Sequence, residues 1–122
     1  MKCKEILDKV EAKPLYIYDE NILDKEYNYI FAADLMSDAL AMINNYTDKT
    51  ILVTGLTNIQ SLRTAEMLDI SMIIYVRNKL PSEVDIEIAK DMNFNLFSTK
   101  YTMYECCGRL YELGLKALAN DN

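Results

Sequence analysis

The sequence predicts an α/β fold: a three-layer α/β/α sandwich around a mostly parallel central sheet. Three observations carry that expectation. First, a short apolar strand runs into a polar corner that opens an amphipathic helix, and this unit recurs. It occurs as Ile51-Leu52-Val53-Thr54-Gly55 into Thr57-Asn58, as Met72-Ile73-Ile74-Tyr75-Val76 into Pro81-Ser82, and as Leu96-Phe97-Ser98-Thr99 into Thr102. Strand-helix alternation at this spacing marks a largely parallel sheet. Second, the strands at 51–53 and 72–76 are almost wholly apolar, as strands covered on both faces are. Third, 122 residues suffice for a single domain with one real core, and no linker, repeat or low-complexity tract divides them.

Cys3, Ile6, Leu7 and Val10 fall at helical spacing, so a first helix spans residues 2 to about 11 and stops at Pro14. Residues 15–18 read as a short strand, 19–21 as a turn and 27–32 as a second strand. Asp34 opens a helix with Leu35, Met36, Ala39, Leu40 and Ile43 on its apolar face, ending near Asn44-Asn45. Residues 50–54 form a buried central strand and 58–68 a helix. Residues 72–76 are the next strand. Ser82 followed by Asp85 signals a capped helix to about residue 92, with Val84, Ile88 and Met92 inward. Residues 95–97 form the last strand. A final helix runs from 102 to about 118, with Tyr104, Cys107, Leu110 or Tyr111, and Leu113 or Leu115 on its buried side.

Composition narrows the function. The net charge is −6 and no basic stripe is visible, which disfavours nucleic acid and anionic membranes. No apolar run reaches the roughly 18 residues of a membrane span. Met1-Lys2-Cys3-Lys4-Glu5 leads into a helix and not a signal peptide, so the expected location is the cytoplasm. Histidine is absent, which removes Ser-His and Cys-His pairs and histidine metal sites. The glycines, three in all, supply neither a dinucleotide fingerprint nor a phosphate-cradling loop. No catalytic residue, metal site or cofactor is therefore expected.

In a parallel sheet ligands bind beyond the carboxyl ends of the strands. The corners should crowd that edge, which makes Asp34, Thr54, Thr57, Asn58, Ser98 and Thr99 the candidate ligand-binding residues, with Asn78 beside them. A helix N-terminus there can hold a small anion through its free amides. Thr57 or Asn58 can equally be a plain N-cap. Asp34 and Asp38 share a helix face, where a carboxylate pair suits a divalent cation or simply the positive end of the helix.

Cys106-Cys107 point about 100° apart on a helix and cannot both ligate one tetrahedral metal. Burial in the core is the expected fate of such cysteines, with redox or metal chemistry as the alternative. The count of nine tyrosines exceeds what a small core needs, so some of them should lie at an interface or stack on a ligand.

The chain resembles the DRTGG domain family over nearly its whole length. The tracts that carry the resemblance are Asp34-Leu35-Met36-Ser37-Asp38-Ala39-Leu40, Asn58-Ile59-Gln60 opening a helix that ends in Glu66-Met67-Leu68-Asp69, Leu96-Phe97-Ser98-Thr99, and Gly108-Arg109-Leu110-Tyr111-Glu112-Leu113-Gly114. The family's name motif falls at residues 24–30, where Tyr29 and Ile30 stand in place of paired glycines. Val76-Arg77-Asn78-Lys79 replaces the usual Gly-Arg after the fourth strand. The resemblance implies a fold like the N-terminal domain of HPr kinase/phosphorylase. It also implies a role like that of the accessory modules of phosphotransacetylases and regulated pyrophosphatases, where the domain dimerises and helps bind adenine nucleotides. Short single-domain members occur in anaerobic bacteria near iron hydrogenase and electron-transfer genes, and this chain looks like one of those.

The expected function is a non-catalytic regulatory or ligand-sensing domain, acting as a homodimer and binding an adenine nucleotide or small anionic metabolite. A protein-interaction module for a kinase or electron-transfer partner is the alternative. A small enzyme is the third class.

Overall fold

The structure, a computed structural model, describes residues 1–34 and 47–118. The helix expected after Asp34, and Asp38 with it, lie outside the described residues. The elements are α1 (Cys3–Lys9), β1 (Lys13–Tyr16), β2 (Tyr29–Ala32), β3 (Thr50–Thr54), α2 (Ile59–Met67), β4 (Met72–Tyr75), α3 (Glu83–Asp91), β5 (Asn95–Ser98), α4 (Met103–Glu112) and β6 (Lys116–Ala117). Single turns of 3-10 helix at Ile22–Asp24 and Thr47–Lys49 precede β2 and β3.

The strands form one six-stranded sheet in the order β1-β5-β4-β3-β2-β6. Every pairing is parallel except that of β1, which runs antiparallel along the edge of β5. The expected mostly parallel sheet is therefore present, with β3 and β4 at its centre. All five residues of β3 and all four of β4 are buried. Alternation sorts them by face. Ile51, Val53, Met72, Ile74 and Phe97 join Ile6, Val10, Cys106 and Leu110 in one core, under α1 and α4. Leu52, Ile73, Tyr75 and Leu96 join Leu62, Ala65 and Ala89 in the other, under α2 and α3. Successive units step across the sheet from β3 to β5 with their helices on one face. The return from β5 to β6 travels the opposite way, and a right-handed crossover then needs the other face.

The structure corrects several element readings. The first strand begins two residues earlier than expected and contains Pro14, which the edge tolerates because no further strand needs its missing N–H. The last helix stops at Glu112. Gly114 adopts φ 92°, a left-handed turn that favours glycine, and the chain then enters β6 beside β2. That shortening changes which face is inward: Cys106 and Leu110 are buried, while Tyr104 and Tyr111 are exposed. Cys107 is half-buried. On α3 it is Ala89 that is buried, and Val84 is exposed. The tyrosines divide as expected of an excess: Tyr27 and Tyr75 are core residues, Tyr104 and Tyr111 are not.

Candidate functional site

The carboxyl ends of β2, β3, β4 and β5 meet along one edge. Register places Thr54, Tyr75 and Ser98 in a row across β3, β4 and β5. Beyond β2 the parallel pairing continues through the Ala33 N–H, which donates to the Val53 carbonyl at 3.1 Å. This delivers Asp34 to the end of β3. Its Oδ1 accepts the Gly55 N–H at 2.7 Å and the Thr54 hydroxyl at 3.3 Å. Thr54 is buried, and its Oγ1 also accepts the Leu56 N–H at 3.1 Å. Asp34 and Thr54 are thus bonded to each other. Asp34 itself is exposed, and its second oxygen has no hydrogen-bond partner among the described residues.

Thr57 and Asn58 follow on the same corner. Asn58 is the N-cap of α2: its Oδ1 accepts the Gln60 N–H at 3.0 Å, and its carbonyl accepts the Ser61 hydroxyl at 2.8 Å. Capping accounts for Asn58 without a ligand. Thr57 is half-buried, and its hydroxyl makes no hydrogen bond among the described residues.

Beyond β4 the chain makes a turn at Arg77 and Asn78, of which the sequence singled out only Asn78. Arg77 and Asn78 both take left-handed conformations, φ 59° and 54°. Their N–H groups donate to the carbonyls of Tyr101 and Thr99 at 2.8 and 2.9 Å, which locks the β4 corner to the β5 corner. The Arg77 side chain then reaches across to β3. A Cβ placed on Gly55 would lie 2.7 Å from Arg77 Nη2 and 3.4 Å from Asp34 Oδ1. Gly55 is therefore the bare floor that lets a guanidinium and a carboxylate approach the same backbone. Arg77 is exposed, and its side chain makes no ion pair or hydrogen bond among the described residues. Its signal in the sequence was a basic residue immediately after an apolar strand.

Ser98 and Thr99 stand at the end of β5, with β3 and β4 between it and β2, and both are buried. The Thr99 hydroxyl donates to the Val10 carbonyl at 2.6 Å and accepts the Tyr101 N–H at 3.2 Å. Its bonds go into the fold, joining the β5 corner to the end of α1. The edge therefore holds one cluster of Asp34, Thr54, Gly55 and Arg77, with Thr57 beside it and Thr99 as a brace. A guanidinium suits a phosphate or carboxylate group. A carboxylate with an available oxygen suits hydroxyl and amine donors.

No group of three or more Cys, Asp or Glu gathers into a metal-holding cluster among the described residues. Burial pushes the Cys106 thiol up to about 12, and burial raises that of Cys107 as well. Neither sulfur is poised as a thiolate near neutral pH. No helix among the described residues is long and apolar enough to cross a membrane.

No family model matches the sequence, and no curated protein matches it. By structure the chain is similar to the CBS and DRTGG domains of the regulatory region of Clostridium perfringens pyrophosphatase, solved with its activator diadenosine tetraphosphate. The TM-score is 0.68 at 20% sequence identity, over 89% of this chain and 45% of that one. The likeness supports a DRTGG-related α/β fold. The chain spans less than half the length of that regulatory region.

Proposed function

We propose that this chain is a non-catalytic regulatory domain of DRTGG type. It senses an adenine nucleotide or a small phosphate-bearing metabolite at the carboxyl edge of its sheet. The observation that carries the reading is the Arg77 guanidinium, without a partner among the described residues, held over Gly55 beside the Asp34 carboxylate. The Gly55 N–H is already taken by Asp34, so an anion is drawn to Arg77 and not to the backbone amide. The second Asp34 oxygen accepts from a ribose hydroxyl, as acidic residues at this edge do in other nucleotide-binding α/β sheets. A structurally similar regulatory region was solved with a dinucleoside polyphosphate activator, and that supports the ligand class. On this reading residues 1–122 are one domain, acting as a homodimer in the cytoplasm. Its resemblance to stand-alone members encoded near iron hydrogenases supports a link to anaerobic redox metabolism.

The experiment is titration calorimetry with ATP, ADP, AMP, diadenosine tetraphosphate and inorganic phosphate, paired with thermal shift. A ligand at 100 times its dissociation constant adds about 2.7 kcal/mol of stability. Binding that Arg77→Ala weakens tenfold or more is the expected result. No shift with any of these compounds at millimolar concentration would overturn the nucleotide reading and leave the alternative, a protein-interaction module. The exposed tyrosines of α4 favour that alternative.

A further inference from the structure

Among the described residues, left-handed backbone occurs in two settings. Glu11, Asp69, Asn93 and Gly114 each stand directly after the C-cap of a helix, where a left-handed residue is a common way to end one. Arg77 and Asn78 do not. They follow β4, they are consecutive, and they sit at φ 59° and 54°. This region is sterically unfavourable for arginine, and such residues persist only where their surroundings hold them, often at ligand clamps. Both N–H groups donate to the β5 corner, to the carbonyls of Tyr101 and Thr99 at 2.8 and 2.9 Å. The turn therefore offers no free pair of amides to an anion. What it achieves is the placement of the Arg77 side chain over Gly55.

We propose that Tyr101 is the positioning residue for Arg77. The inference rests on the ligand role given to Arg77 above and names what holds it in place. The Tyr101 carbonyl is the acceptor of the Arg77 N–H. Its side chain is gripped by two other elements. The phenol donates to the carboxylate of Glu11, just beyond the end of α1. The Arg109 guanidinium of α4 lies over the ring, 4.1 Å from its centre, as a cation on an aromatic face. Arg109 is itself fixed, by Glu105 at 3.0 Å and by the Lys9 carbonyl, which accepts from Nη1 at 3.3 Å. Lys100 pairs with Glu11 at 3.5 Å. Tyr101 thus has its ring and phenol clamped between α1 and α4, while its carbonyl holds the strained turn. Without that side chain the peptide supporting the turn is loosened. Arg77 can then relax toward ordinary φ, which carries the guanidinium off Gly55. The junction of α1 and α4 in this way sets the position of a side chain at the carboxyl edge of the sheet.

Amide hydrogen exchange by NMR without ligand, and calorimetry with ATP, test this on the full chain as wild type, Tyr101→Ala, Tyr101→Phe and Glu11→Ala. In Tyr101→Ala, exchange at the Arg77 and Asn78 N–H groups should be about tenfold faster, with the amides of Leu52 and Ile74 in the central strands changed far less. ATP binding should weaken about fivefold or more, as the guanidinium loses its place. Tyr101→Phe keeps the ring against Arg109 and should recover most of both. Glu11→Ala should show the same local change in smaller measure. It alters an exposed side chain, so it keeps the test decisive if Tyr101→Ala does not fold. Unchanged exchange at Arg77 would overturn the proposal. So would equal acceleration at every amide, which would make Tyr101 a structural residue only. Faster local exchange with undiminished ATP affinity would also overturn it, since Arg77 would then bind without its support. A wild type that does not bind ATP would overturn the nucleotide reading, and the exchange measurements alone would then decide whether Tyr101 positions Arg77.

Discussion

The carboxylate of Asp34, two residues beyond β2, accepts the backbone N–H of Gly55, the first residue beyond β3, at 2.7 Å. A corner that would otherwise present a free amide to an anion carries its own internal acceptor. The same oxygen takes the Thr54 hydroxyl, so the end of β3 is closed by a side chain from β2. Asp34→Ala should therefore destabilise the domain, by about 1 kcal/mol at this exposed site. Urea midpoints for Asp34→Ala and Asp34→Asn measure it. An unchanged midpoint in both would mean that the bond contributes nothing to the fold.

Gly55→Ala separates folding from binding. The new methyl would lie 2.7 Å from Arg77 Nη2, the far end of a flexible side chain, and the Gly55 backbone is not left-handed. The guanidinium can swing away at little cost, and alanine stiffens the unfolded chain by about 0.4–1 kcal/mol. Stability should hold or rise slightly. Nucleotide affinity should fall, because Arg77 has lost its seat. Calorimetry showing full affinity in Gly55→Ala would remove Arg77's present position from the site.

Arg77→Ala should leave stability within about 0.5 kcal/mol of the wild type, as expected of an exposed side chain with no partner among the described residues. Its effect belongs to the ligand. A large loss of stability in denaturant titration would assign Arg77 a structural role.

Thr99→Val should act the opposite way. It removes the 2.6 Å donor to the Val10 carbonyl, inside the fold, and the acceptor for Tyr101 N–H. Leaving buried polar groups unpaired costs about 1–3 kcal/mol. The expected outcome is a lower thermal midpoint with ligand affinity at 25 °C nearly kept. Affinity lost at full stability would place Thr99 in contact with the ligand.

Alkaline pH should unfold the protein. Burial pushes the thiols of Cys3 and Cys106 up to about 12, and the phenol of Tyr75 to about 12 as well. An unfolded thiol loses its proton near about 8.5. Between those values the folded state holds more protons than the unfolded one, so stability falls as pH rises. Below about pH 8 these groups have no effect. Above it each thiol contributes a slope of about 1.4 kcal/mol per pH unit. Urea midpoints from pH 7 to 11 should decline, and less steeply in Cys106→Ala. A flat profile from pH 9 to 11 would show that these thiols are not buried.

The strand-helix units at residues 50–99 could be read in the sequence because burial on both faces leaves an unbroken apolar run, and a polar corner ends it. Thr50–Thr54 and the caps Asn58, Ser82 and Thr102 follow from residue chemistry within a few positions. The edge choices did not follow in that way. Whether residues 113–118 continue α4 or become β6 depends on whether β2 offers a free edge, which is a matter of strand order. The side of α4 that faces inward depends on where α1 lies, and apolar Tyr104 and Tyr111 made the wrong side look buried.

The candidate site divides in the same manner. Local sequence placed Asp34, Thr54, Thr57, Asn58, Ser98 and Thr99 at the carboxyl edge, because each stands where a strand ends. Tertiary structure alone decided that Asp34 bonds Gly55, that Thr99 braces Val10, and that Arg77 lies over Gly55. Those contacts join residues 21, 89 and 22 positions apart in the chain. No local pattern encodes them, since they arise only when parallel pairing brings separate corners to one edge.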